Sequence, residues 1–160
     1  MFVNKIVKGF LPLLGFCLAF VSQAAFAQCT IRTTPVGFGN YDVFSKTPLD
    51  TIGTVTIACS ADVVKATITL SASNISGTFN PRRMKQEGGK DLLDYNIYSD
   101  PTRTTILGDG SGGTTQIYLK RPTGPPRPWS ETITIYGRIP PGQDVSAGNY
   151  IDLLTAAIDW

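Results

Sequence analysis

Apolar and polar side chains alternate at every second position in most of the chain, and this alternation limits the folds it can adopt. Val55, Ile57 and Cys59 are separated by Thr56 and Ala58. A period of two is that of a strand with one buried face, whereas an amphipathic helix repeats every 3.6 residues. After residue 27, no window of about a dozen residues carries a helical stripe. The pattern predicts an all-β fold.

Clusters of Gly, Pro, Asn and Asp divide the alternating runs into short segments. Short antiparallel strands of this kind close most simply as a sandwich of two sheets. The predicted strands cover residues 30–34, 52–60, 63–72, 93–99, 114–120, 131–138 and 149–159. Between them, the basic group Arg82, Arg83 and Lys85 is interpreted as part of a solvated loop.

The first 27 residues have the pattern of a secretory signal peptide. Lys5 and Lys8 precede an apolar run over 10–21, and Ala25-Phe26-Ala27 provides a small-x-small cleavage site. The run has about a dozen residues, whereas a membrane-spanning helix needs roughly 20. We predict a signal peptide over 1–27 and one exported domain over 28–160, with cleavage after Ala24 as the alternative.

Two cysteines remain in the exported domain, Cys29 and Cys59. In an oxidising compartment two cysteines most simply pair, and the chain has no His to complete a metal site. We therefore expect a Cys29–Cys59 disulfide and no metal site.

The charge and the chemistry of the exported domain exclude several functions. Lys5 and Lys8 leave with the signal peptide, and the 12 basic residues that remain match the 12 acidic ones. This balance gives no reason to expect nucleic acid as a partner. Without His or a free thiol, most nucleophile–base pairs are unavailable. We expect no catalytic residues, no cofactor and no small-molecule substrate.

A proline-rich loop over 122–129 stands apart from the other turns. Four prolines stiffen it, and it ends at Trp129. Two interpretations remain open for this loop. In one, it is a rigid connection with Trp129 packed at the start of a strand. In the other, it is an adhesive loop formed by Pro125, Pro126, Pro128 and an exposed Trp129.

Several stretches, taken in order, resemble one protein family. They are Cys29-Thr30-Ile31, Phe38-Gly39-Asn40-Tyr41-Asp42, Tyr95-Asn96-Ile97-Tyr98-Ser99-Asp100, Gly108-Asp109-Gly110, Tyr136-Gly137-Arg138-Ile139-Pro140 and Gly148-Asn149-Tyr150. The set is similar to the spore coat protein U domain, which is related to subunits of archaic Csu-type chaperone–usher pili. The resemblance covers almost all of 28–160.

The resemblance implies an immunoglobulin-like sandwich that lacks one strand. A periplasmic chaperone lends the missing strand, and an outer-membrane usher exchanges it for an arm of the neighbouring pilus subunit. Carried over to this chain, Cys29 and Cys59 form the family disulfide. The last strand borders the strand-accepting groove, into which Leu154, Ala156, Ile158 and Trp160 point.

One departure from the family pattern concerns the N-terminal arm. Polymerising subunits carry a donor arm before their first cysteine, whereas cleavage after Ala27 leaves only Gln28 there. We therefore expect a subunit that accepts a strand but donates none, placed at the tip of a surface fibre with a role in adhesion or biofilm. The alternative is a self-complete secreted coat protein or polysaccharide-binding module, with Tyr118 and Trp129 as candidate contacts.

Overall fold

The computed structural model describes residues 28–160, and the predicted signal peptide lies outside this part of the chain. Within it, nine strands and no helix are found. No helix of these residues could therefore span a membrane. The strands are β1 (Cys29–Thr34), β2 (Leu49–Cys59), β3 (Lys65–Leu70), β4 (Arg82–Gln86), β5 (Leu92–Tyr98), β6 (Ile117–Lys120), β7 (Trp129–Ile139), β8 (Tyr150–Ile151) and β9 (Ala156–Asp159).

The strands form two antiparallel sheets of unequal size, and the predicted all-β sandwich is confirmed. The larger sheet has the order β1-β2-β7-β5-β4-β8, and the smaller one has the order β6-β3-β9. The longest pairing in the larger sheet is between β2 and β7. It runs from Leu49 opposite Ile139 to Cys59 opposite Trp129. We call the end with Cys29, Cys59 and Trp129 the disulfide pole, and the end with Leu49 and Ile139 the loop pole.

The core lies between the sheets, as the period-two pattern predicts. Val55 and Ile57 of β2 are fully buried, as are Ala66 and Ile68 of β3. Their neighbours along each strand are less buried or exposed. Each strand therefore contributes one apolar face to a single core.

At the loop pole, the segment after β1 completes this core. Gly53 and Gly137 face inward, and a Cβ at either position would lie 2.7 Å from the Val36 side chain. A Cβ at Gly137 would also lie 2.8 Å from the Phe38 ring. The two glycines thus let Val36 and Phe38 lie directly against the larger sheet.

The predicted strand over 149–159 is two strands in different sheets. β8 pairs with β4 in the larger sheet, and β9 pairs with β3 in the smaller one. The chain crosses between the sheets at 152–155, where Ser71 N–H donates to Thr155 O at 2.9 Å and Thr155 N–H donates to Ser71 Oγ at 3.0 Å. One continuous strand cannot belong to both sheets.

The solvated-loop interpretation of Arg82, Arg83 and Lys85 is wrong, because these residues belong to β4. Arg82 points into the core and is 0% exposed. Its guanidinium donates to Ser71 O, to Leu107 O at 2.8 Å and to Asn96 Oδ1 at 2.8 Å. It also lies 5.2 Å from the centre of the Phe79 ring. A buried charge is tolerated here because several acceptors satisfy it.

A second buried polar contact anchors the crossover. The Tyr95 hydroxyl donates to Asp152 Oδ2 at 2.8 Å. Burial, together with the Asp152 carboxylate, raises the pKa of the Tyr95 phenol. The phenol therefore stays protonated and keeps its hydrogen bond to the crossover.

We expect Arg82→Met to lower the free energy of unfolding by at least about 3 kcal/mol, since it leaves the buried carbonyl oxygens of Ser71 and Leu107 without donors. The adjacent Arg83→Met is the control, because Arg83 is partly exposed and pairs with Asp94 at 2.8 Å. A surface pair of this kind contributes about 1 kcal/mol or less. Urea unfolding of the folded protein measures both, and equal losses would contradict the role of Arg82.

Candidate functional site

The edges of the two sheets meet along β1 and β9, and we call this seam the β9 groove. Among residues 28–160, β1 pairs only with β2 and β9 pairs only with β3, so each is an edge strand of its sheet. The two edges contact each other. The larger sheet has six strands and the smaller one three.

The apolar side chains along the groove are less covered than the rest of the core. Leu154, Ala156 and Ile158 are half-buried, and their neighbours in sequence are exposed. The inward residues of the adjacent strand β3 are fully buried. Trp160, which follows β9, is 51% exposed. The inward residues of β9 thus have apolar neighbours on the β3 side and incomplete cover on the other.

The edge of β9 carries a charged side chain only at its last residue. Edge strands are usually guarded by charge, by proline or by shortness. β1 carries Arg32, β6 ends at Lys120 shortly before Pro122, and β8 has two residues. β9 is Ala-Ala-Ile-Asp, with its one charge at the end. Over residues 156–158, its backbone can therefore pair with another strand without meeting a charged side chain or a proline.

A disulfide holds the opposite wall of the groove. Cys29 and Cys59 are directly paired across β1 and β2 and are joined by the expected bridge, with a Cα–Cα distance of 4.1 Å. Gln28 N–H donates to Ser60 Oγ at 3.0 Å, and Gln28 O accepts the Ser60 N–H at 2.8 Å. β1 is thus fixed at the disulfide pole from its first residue.

The proline-rich loop also lies at the disulfide pole, but it does not present Trp129. Trp129 is 7% exposed, and its indole N–H donates to Val63 O at 2.9 Å. The interpretation with an exposed Trp129 is therefore wrong, because this side chain anchors the loop to the turn before β3. Arg121 anchors the other end by donating to Ala61 O. Pro125, Pro126 and Pro128 lie between these anchors and are exposed.

Tyr118, the other candidate contact, is exposed, unlike Trp129. It lies on the outer face of β6 and is 71% exposed. Its hydroxyl donates to Gln116 Oε1 at 2.7 Å. Because Ile117 and Leu119 point inward on this short strand, Tyr118 between them points into solvent.

The acidic side chains of the turns have structural partners. Asp94 pairs with Arg83, and Asp109 accepts hydrogen bonds from Ser111. Asp100 accepts the N–H groups of Thr104 and Thr105, and a hydrogen bond from the Thr102 hydroxyl lowers its pKa most. Residues 28–160 contain no group of three or more metal-ligating side chains.

The model of the Spore Coat Protein U domain matches residues 17–157. The chain belongs to this family. Protein U of Myxococcus xanthus is 32% identical over 135 residues, which cover 78% of this chain and 71% of that protein. The match begins at residue 17, so it also includes part of the predicted signal peptide.

Two solved structures resemble this Spore Coat Protein U domain. One is a chain of the CsuC–CsuE chaperone–tip adhesion subunit pre-assembly complex from archaic chaperone–usher Csu pili of Acinetobacter baumannii. It is 20% identical with a TM-score of 0.58, over 84% of this chain and 40% of that one. The other is the E. coli Hda pilus minor tip subunit HdaB, 12% identical with a TM-score of 0.43, over 81% and 79% of the two chains. The first likeness shows a shared fold, and this chain spans less than half the length of that one.

We expect Trp129→Ala to lower the free energy of unfolding by about 3–5 kcal/mol, since it empties a buried site and frees Val63 O. Tyr118→Ala, the matched exposed aromatic, should change it by no more than about 0.5 kcal/mol. Thermal and urea unfolding measure both. A Trp129→Ala protein that unfolds like the wild type would restore Trp129 as a surface residue.

Proposed function

We propose that the exported domain is a strand-accepting subunit of a surface fibre of the chaperone–usher type. The observation that carries this proposal is the edge of β9, which has no charge before Asp159, with half-buried Leu154, Ala156 and Ile158 beside it. An added strand would bond to the free backbone of β9 and cover these side chains. Affinity would come from backbone hydrogen bonds and specificity from alternate side chains.

The proposed partners follow from this need for a strand. A periplasmic chaperone would supply it after export, and an outer-membrane usher would exchange it for the arm of a neighbouring subunit. Family membership and the likeness to a chain from a chaperone–subunit complex support this sequence of partners. No small-molecule substrate or cofactor takes part.

We further propose that the subunit occupies the tip of the fibre. A donor arm would leave the domain at Gln28, so the subunit that received it would lie beyond the disulfide pole. Cleavage after Ala27 leaves no arm, and this pole then has no neighbour. The proline-rich loop lies at the same pole, with Pro125, Pro126 and Pro128 exposed and both ends anchored. Its position supports a role in adhesion or biofilm.

Adjacent alanines on opposite faces of β9 test the groove. Ala156 is turned inward and half-buried, whereas Ala157 is exposed. Ala156→Asp would bury a carboxylate under the added strand and should reduce co-purification with the chaperone of the same locus at least about tenfold. Ala157→Asp adds the same charge on the outer face and should leave co-purification within about twofold.

Two results would contradict the proposed strand-accepting function. One is equal co-purification of the two variants. The other is an exported domain that is a stable, folded monomer without any partner. The second result would favour the alternative, a self-complete coat or polysaccharide-binding module, for which the exposed Tyr118 is a candidate contact.

Replacing Pro125, Pro126 and Pro128 by Ser tests the adhesive loop. We expect surface attachment of fibre-bearing cells to fall several-fold while fibre assembly is unchanged, because these side chains are exposed and the loop anchors remain. The control replaces Pro48, Pro101 and Pro141, which are exposed in other loops. Attachment that is equal in both variants would remove the adhesive role from the proline-rich loop.

A further inference from the structure

A cavity of about 790 Å³ opens at the loop pole, away from the β9 groove. Its floor is the inner face of the larger sheet, where Met84, Leu93 and Ile139 contribute side chains. One wall is the segment 36–44, which follows β1, and the other is the segment 145–151, which includes β8. No residue of β1 or β9 lines it, so this cavity and the strand-accepting groove are separate features.

Hydrogen bonds hold both walls in place. The Tyr41 hydroxyl donates to Pro140 O at 3.0 Å and accepts the Gln143 N–H at 2.9 Å. In the second wall, Ser146 N–H donates to Asp91 Oδ2 at 2.9 Å, and the Tyr150 hydroxyl donates to Ser146 O at 2.7 Å. The cavity is therefore formed before any ligand arrives, as is usual for small-molecule sites.

The lining is polar and apolar in nearly equal parts, and its charged side chains are all acidic. Val36, Phe38 and Val145 are half-buried along the walls, and Phe44 at the mouth is 89% exposed. Two further lining residues carry charge, Asp42 and Glu87, and both are exposed. The lining contains no Lys or Arg. The Phe44 N–H donates to Asp42 Oδ1 at 2.9 Å and orients this carboxylate at the mouth.

We propose that this cavity binds a small amphiphile with one amine on an apolar stem. The stem would lie against the apolar walls, where removing it from water is favourable. The amine is protonated at neutral pH, and it would lie at the mouth beside Asp42 and Glu87. The volume is within the range of about 300–1,000 Å³ that is typical of ligand sites. The amphiphile is a ligand of the fold and undergoes no reaction.

Three probes with the same number of carbon atoms distinguish the contribution of charge to the affinity from that of apolar contact. n-Octylamine is cationic at pH 7, n-octanoate is anionic, and 1-octanol is neutral. Titration of the exported domain in its complex with the chaperone, followed by NMR shifts of Phe38, Val145 and Tyr150, should give saturable binding of the amine. We expect its affinity to exceed that of octanoate at least about tenfold, with 1-octanol between them.

Charge removal at the mouth tests the role of the carboxylates. The double variant Asp42→Asn, Glu87→Gln should weaken octylamine binding about five- to tenfold and leave 1-octanol within about twofold. The control Asp62→Asn, Glu131→Gln removes the same two charges from exposed positions towards the disulfide pole. It should leave the affinity for all three probes unchanged.

A substitution that fills the cavity tests whether the probes bind there. Val145→Trp should abolish binding of all three probes, with the fold checked by its NMR spectrum. Octanoate binding as strong as octylamine binding would overturn the proposal, as would equal effects of the two double variants. An absence of saturable binding by any probe would overturn it as well.

Discussion

The unequal number of strands in the two sheets is the constraint on which the rest of this structure depends. Six strands present an inner apolar face that three strands cannot cover. Exposed apolar surface of this kind is costly, so the chain must cover it by other means or recruit a partner. At the loop pole the chain covers it with Val36 and Phe38, which lie over Gly53 and Gly137. Along β9, residues 28–160 provide no further strand.

Arg82 connects β4 to two segments with which β4 shares no strand ladder, and it adds a contact to β5. Its guanidinium contacts the end of β3 at Ser71, the segment after β5 at Leu107, and β5 itself at Asn96. The accepting carbonyl oxygens lie where β3 ends and outside the named strands, so ladder bonding does not use them. An aliphatic side chain would fill the space but leave these oxygens without donors. The planar guanidinium, with five N–H donors, is suited to such a position.

The sequence predicted the parts of the fold in which pattern and burial agree. β2 and β7 alternate cleanly because each has one face in the core along most of its length. β4 was missed because its inward residues are Arg82 and Met84, so an apolar face is not visible in the pattern. The break between β8 and β9 was also missed. The alternation of Asp152, Leu154 and Ala156 keeps its period across the crossover, and only the pairing partners change.

The candidate site was harder to predict from the sequence. Whether a strand lies at the edge of a sheet depends on which strands pair, and the pattern within one strand does not show this. Leu154, Ala156 and Ile158 were placed at the groove by family resemblance, because their alternation alone fits any half-buried strand. The side-chain direction of Trp129 depends on its hydrogen bond to Val63 O, a contact across 66 residues that no local pattern encodes. The cavity at the loop pole was likewise invisible, because its walls come from loops that converge only in the fold.

Both walls of the groove are anchored by contacts outside the groove itself. β1 is held at its first residue by the Cys29–Cys59 bridge, which closes a loop of 30 residues and stabilises the fold by about 3–4 kcal/mol in the chain-entropy model. β9 is held at its start by the hydrogen bonds between Ser71 and Thr155, and the crossover by the Tyr95–Asp152 contact. Because none of these contacts uses the free edge of β9, that edge can keep its geometry before a strand is added. An incoming strand would then meet a preformed groove, and less of its binding free energy would be lost in ordering the acceptor.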